Sequence, residues 1–137
     1  MIRYIAVFCL VLSAIFCFFM DFDKICTYGL FAKNELTVIF QIDGTINEDV
    51  IVFTVISIVS IIFSIFLAFI SNKVFYGIMV FFFLMLELFL LNKMLTIFDY
   101  QEVISTSIMM CDNYLMLLWL IFQMLFLTLS LVYIFRK

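Results

Sequence analysis

Glu87 is the residue whose setting most calls for chemistry. It stands in Phe81-Phe82-Phe83-Leu84-Met85-Leu86-Glu87-Leu88-Phe89-Leu90-Leu91, a run with no other ionisable group. A charged side chain at the centre of a bilayer costs on the order of 3 kcal/mol or more, and such residues usually mark ion pathways. One reading makes Glu87 a group that takes up and releases protons, which a desolvated carboxyl suits. The other makes it a permanently protonated acid bonded to a neighbouring helix. Gln123 is the natural partner. Glu87 lies 14 residues from Lys73, and Gln123 lies 13 residues from Arg136. At about 1.5 Å per residue these are depths of roughly 21 and 20 Å, so consecutive antiparallel helices bring the two side chains level. A Gln can donate to and accept from a carboxyl but cannot relay a proton by ionising. Its plainer role is an interhelical hydrogen bond worth about 0.6 kcal/mol. Lys93, one and a half turns past Glu87, is placed to feed a proton path or to snorkel to the headgroups.

Other polar residues have simpler readings. Thr54, Ser57, Ser60 and Ser64 recur at three- and four-residue spacing, with Ala68 and Ser71 continuing the stripe. Such a face lets another helix approach closely, or lines a path for water, and packing is the stronger expectation. Cys26 and Cys111 fall in polar segments on one side and can pair there if that side is oxidising. Cys9 and Cys17 read as small apolar fillers. Trp119, alone in the middle of an apolar run, is expected to pack against protein. No histidine is present and no CxxC pair occurs among the four cysteines, so no metal or cofactor site is expected. Three glycines leave no phosphate-cradling loop, and a net charge of −3 offers no surface for nucleic acid.

The elements that must position these residues follow from composition. Of 137 residues, 69% are hydrophobic and 12% charged, against roughly 45–50% and 25% in ordinary globular domains. Mean hydropathy is +1.36. Such a chain cannot cover its own core with polar side chains and belongs in lipid. Twenty Phe, nine Met and no Pro, with only four Ala, reflect AT-rich codons more than membrane residence alone. A mitochondrially encoded inner-membrane protein would carry that bias, and so would one from the inner membrane of an AT-rich bacterium.

The expected fold is all-α and integral to the membrane, with four transmembrane helices. A span needs about 20 apolar residues. The first, within residues 1–20, is the shortest. It has no small-x-small cleavage site before Asp21 and is expected to be retained. Residues 21–49 form an acidic loop, in which 36–40 reads as a short strand or interfacial segment. Residues 50–137 are expected to form a three-helix bundle over about 50–70, 74–98 and 114–135. Arg3, Lys73, Arg136 and Lys137 fall on one side of this arrangement with no acid beside them. Lys24, Lys33 and Lys93 fall on the other, with nine of the ten acids. The positive-inside rule then puts both termini in the matrix or cytoplasm and the acidic loop in the intermembrane space or periplasm.

With Glu87, the short basic turn and Gln123 in place, the last eighty-odd residues resemble subunit 4L of respiratory NADH dehydrogenase, complex I. That family has three helices, a basic turn after the first, and a buried Glu in the second within an I/L-E-L-M-L-L run. Here the run is Leu86-Glu87-Leu88-Phe89-Leu90-Leu91. The family's next buried Glu comes some three dozen residues later, and 36 residues on from Glu87 stands Gln123. An amide thus replaces the second carboxylate. The Lys73 turn lies about three residues farther from Glu87 than in the family, which also has no counterpart of residues 1–48. The resemblance implies a proton-path subunit with no cofactor of its own, partnered by other membrane subunits. Glu87, Gln123 and Lys93 would lie on its path, and NADH, flavin and quinone chemistry would belong elsewhere. The alternative is a structural subunit of another respiratory complex, such as cytochrome oxidase or ATP synthase, with Glu87 and Gln123 as helix glue. A free-standing transporter is disfavoured because the four helices show no internal repeat.

Overall fold

The computed structural model describes residues 1–20, 45–94, 104–105, 108–109 and 114–136, and among these the side chains of all but 45–50 and 93–94. The strand expected over 36–40, most of the acidic loop, Asp99, Glu102 and Asp112, and the Cys26–Cys111 pairing lie outside the described residues.

Four helices carry the structure: α1 (Ile2–Phe18), α2 (Thr45–Phe69), α3 (Lys73–Met94) and α4 (Tyr114–Phe135). Three contain stretches long and apolar enough to cross a membrane, Ile51–Phe69, Lys73–Asn92 and Tyr114–Phe135. With 17 residues, α1 reaches about 25 Å and stands at the lower limit of a span. Around the outside, Phe8, Ile65, Phe66, Phe81, Phe82, Phe89 and many like them are exposed. Such a surface is at ease only against lipid or other apolar protein. The chain is a helical protein of membrane type. Apolar periodicity places α2 at Val50, but the helix begins at Thr45. Hydropathy marks what lipid would cover, whereas a helix can begin in polar residues before the apolar run.

The helices form a ring in the order α1, α2, α3, α4, each beside the next and α4 closing back on α1. The tightest packing surrounds α1. Its buried positions are Ala6, Cys9, Leu10, Ser13, Ala14 and Cys17, five of them small, at alternating spacings of three, one, three, one and three residues. Small side chains let backbones approach. Accordingly the Ser57 hydroxyl donates to the Ala14 carbonyl at 2.7 Å, and the Cys17 thiol donates to the Phe53 carbonyl at 3.1 Å. The backbones of α2 and α4 stay apart across the ring, bridged by the edge-to-face pair of Phe53 and Trp119. The three helices of 50–137 therefore close their core only with α1 in place.

One end of the bundle is fixed by hydrogen bonds between helix termini. Asn72 caps α3, its side-chain oxygen accepting from the backbone N–H of Val74 at 2.9 Å. The Arg3 guanidinium donates to the Ile70 carbonyl, Lys73 Nζ to the Arg136 carbonyl at 2.6 Å, and the Tyr133 hydroxyl to the Ser71 carbonyl at 3.1 Å. Cations near helix C-termini satisfy orphan carbonyls and oppose the negative end of the dipole. Arg3, Lys73 and Arg136, which charge sorting groups together, stand at this one end.

Candidate functional site

The inner stripe of α3 is Tyr76, Val80, Phe83, Glu87 and Leu91, and that of α4 is Met116, Trp119, Gln123, Phe126 and Ser130. Both follow three- and four-residue spacing, so an antiparallel pairing meets in rungs. Near the basic end the Tyr76 hydroxyl lies 3.1 Å from Ser130 Oγ, both side chains fully buried. Next comes an aromatic layer in which Phe83 meets Phe126 edge-on at 6.0 Å and Phe63 at 5.2 Å. Then Gln123 Nε2 donates to Glu87 Oε2 at 2.6 Å. The level pairing that residue counting gives is the pairing observed.

The third member of this rung comes from α1. Ser13 Oγ donates to Gln123 Oε1 at 3.0 Å and also lies 3.3 Å from the Trp119 carbonyl oxygen. Ser13, Gln123 and Glu87 are 1%, 6% and 5% exposed, so water reaches none of them freely. Toward the basic end they are bounded by an apolar cluster that includes Leu10, Val80, Phe83 and Phe126. Toward the other end lies a second cluster, with Cys17, Phe53, Leu91, Met116 and Trp119. The result is a polar island of three side chains from three helices between two apolar layers. It is incomplete in one respect: Glu87 Oε1 is buried and has no hydrogen-bond partner. A buried acceptor left unpaired costs about 1–3 kcal/mol, so this oxygen asks for a proton, a donor or a water.

Lys93 lies in the last turn of α3, and its side chain falls outside the described residues. Of the hydroxyl stripe on α2, Ser57, Ser60 and Ser64 are buried. Ser57 joins α2 to α1, while Ser60 and Ser64 donate to the Ile56 and Ile61 carbonyls of their own helix. These bonds fit the packing reading of the stripe, in which each hydroxyl proton is satisfied by a helix carbonyl. Cys9 and Cys17 are free and buried, as fillers would be. Trp119 packs against protein, 2% exposed. Among the described residues no group of three His, Cys, Asp or Glu could hold a metal.

Two polar contacts escape a reading of the sequence. The Tyr76–Ser130 rung leaves no mark in composition, because Tyr and Ser are ordinary in apolar helices. Ser13 has a signal, the small-residue stripe of α1, but that pattern gives the face without saying which helix comes against it. The chain matches no family model, no curated protein and no solved structure.

Proposed function

We propose that this chain is a membrane-arm subunit of a respiratory NADH:ubiquinone oxidoreductase, contributing Glu87 to the proton-translocation path and catalysing nothing alone. The reading rests on the resemblance to subunit 4L, and one observation carries it further. Glu87 has one oxygen held by Gln123 and the other buried without a partner. A side chain serving only to join two helices needs no ionisable group, and an amide, which never ionises, could make the same bridge. A carboxyl fixed at one oxygen and open at the other can accept a proton without losing its position. The basic end would face the matrix or cytoplasm, in the mitochondrial inner membrane or its bacterial equivalent. Other membrane subunits would cover the exposed aromatic faces.

A second reading has its own support. The apolar layers on both sides of the island suit a structural subunit of another respiratory complex, with the triad as an interhelical lock. Glu87→Gln in the native complex separates the two. If Glu87 is a proton site, the complex assembles and oxidises NADH while pumping falls by tenfold or more. Unchanged pumping, with assembly lost only in Glu87→Leu, establishes the lock instead.

A further inference from the structure

The three side chains of the island admit two hydrogen-bond arrangements on the same atoms. In the first, Ser13 donates to the Gln123 oxygen and the Gln123 amide donates to a Glu87 carboxylate. A half-turn about the last bond of the Gln123 side chain exchanges its oxygen and nitrogen. A protonated Glu87 then donates to the Gln123 oxygen, and the Gln123 amide donates to Ser13 Oγ. Ser13, now an acceptor, needs a new destination for its own proton, and the Trp119 carbonyl is already 3.3 Å away. The separations accommodate both directions. The 2.6 Å between Glu87 and Gln123 falls within the range for an O–H donor, and the 3.0 Å between Gln123 and Ser13 is the commonest N–H···O length.

We propose that Ser13, Gln123 and Glu87 form a relay whose hydrogen bonds reverse direction when Glu87 takes up a proton, with Ser13 as the positioning residue that ends it. One proton arrives at the Glu87 carboxylate, no covalent bond breaks elsewhere, and the reversal is the turn of one amide and one hydroxyl. Ser13 suits this post because a hydroxyl both donates and accepts, and because a second acceptor is within its reach. The inner surroundings leave the reversal to Glu87. The described part of α2 from Ile51 carries no ionisable side chain, and that of α4 only Tyr114 and Tyr133 near its ends. On α3, Tyr76 is bonded to Ser130 three turns away, and on α1 the Cys17 thiol donates to the Phe53 carbonyl. The relay ties α1 to the state of Glu87 and so gives α1 a part in the proton site beyond packing.

This inference rests on Glu87 being a proton site, and the test separates the two claims. Infrared difference spectra are recorded across a pH step on the complex with isotope-labelled glutamine side chains. The carboxyl band is assigned by its loss in Glu87→Gln, and the amide band by its loss in Gln123→Leu. The expected result is a carboxyl band that appears on acidification together with a shift of the Gln123 amide band. In Ser13→Ala the amide oxygen passes from no partner to one, so the shift is larger than in the parent. Ser13→Cys, which leaves no void and keeps a weak donor, gives a shift between the two and guards against a packing artefact. A carboxyl band with a stationary amide band overturns the relay and leaves the proton site standing. A shift equal in the parent, Ser13→Ala and Ser13→Cys removes Ser13 from it. A carboxyl that never changes protonation overturns both claims.

Discussion

Around α1 the helices meet through Ala6, Cys9, Ser13, Ala14 and Cys17; around α3 they meet through Tyr76, Val80, Phe83, Glu87 and Leu91. The first set brings backbones close enough for side chains to bond carbonyls of the neighbouring helix. The second brings backbones together less closely, and its contacts are ring edges and side-chain tips. Lipid provides little hydrophobic drive between helices, so van der Waals packing and hydrogen bonds decide which pairs hold. The close side is therefore the anchor, and the wide side is where a polar group can be sheltered without being crushed. Glu87 sits on the wide side and is reached by Ser13 from the close one, through Gln123.

Substitutions that fill the close side should have the largest effect. Ala14 is fully buried, and its carbonyl accepts from Ser57. Ala14→Phe forces a ring between backbones, and overpacking costs about 1–3 kcal/mol even where neighbours can shift. Here they cannot shift without breaking the Ser57 and Cys17 contacts as well. The expected outcome is loss of the folded bundle, read as aggregation or protease sensitivity in detergent. If the Ala14→Phe protein melts like the parent, α1 is not the anchor.

An intermediate effect is expected at the junction of the two sides. Glu87→Leu strands the Gln123 amide, a buried donor, at a cost of about 1–3 kcal/mol. Glu87→Gln can still accept from Gln123 and should cost less than half as much. Thermal melts of the two purified variants measure the gap. Equal losses would mean that the Glu87–Gln123 bond contributes nothing beyond side-chain volume.

Legibility in the sequence divides along the same line. Four apolar runs, the cations gathered at one end and the level pairing of Glu87 with Gln123 all follow from spacing, because a helix converts residue number directly into depth. Rotation about the helix axis follows from spacing only when polar and apolar faces differ. In α1 the small residues Ala6, Cys9, Ser13, Ala14 and Cys17 mark the face that packs, but nothing local says that both α2 and α4 come against it. The residues of α1 consequently read as an appendage to a three-helix unit, when they are the surface on which that unit closes. The missing Glu87 partner is a different kind of gap: an unpaired oxygen is a property of the assembled bundle, and no residue type announces it.

The smallest effect, and one of opposite sign, is expected on the wide side. Gly77 lies in α3 one residue past Tyr76, where a helix interior ordinarily disfavours glycine by about 0.5–1 kcal/mol relative to alanine. A Cβ added there would come no nearer than 3.4 Å to any atom, that atom being the Cδ1 tip of Ile134. This is ordinary van der Waals contact with the far end of a flexible side chain. Gly77→Ala should therefore raise the melting temperature slightly, by stiffening the unfolded chain and adding one methyl contact between α3 and α4. On α1, by contrast, Ala6→Val adds two methyl groups at a fully buried position in the close half and should lower it. The comparison rests on the two signs differing. If Gly77→Ala destabilises as Ala6→Val does, α3 is packed as tightly as α1, and the sheltered space around Glu87 must have another origin.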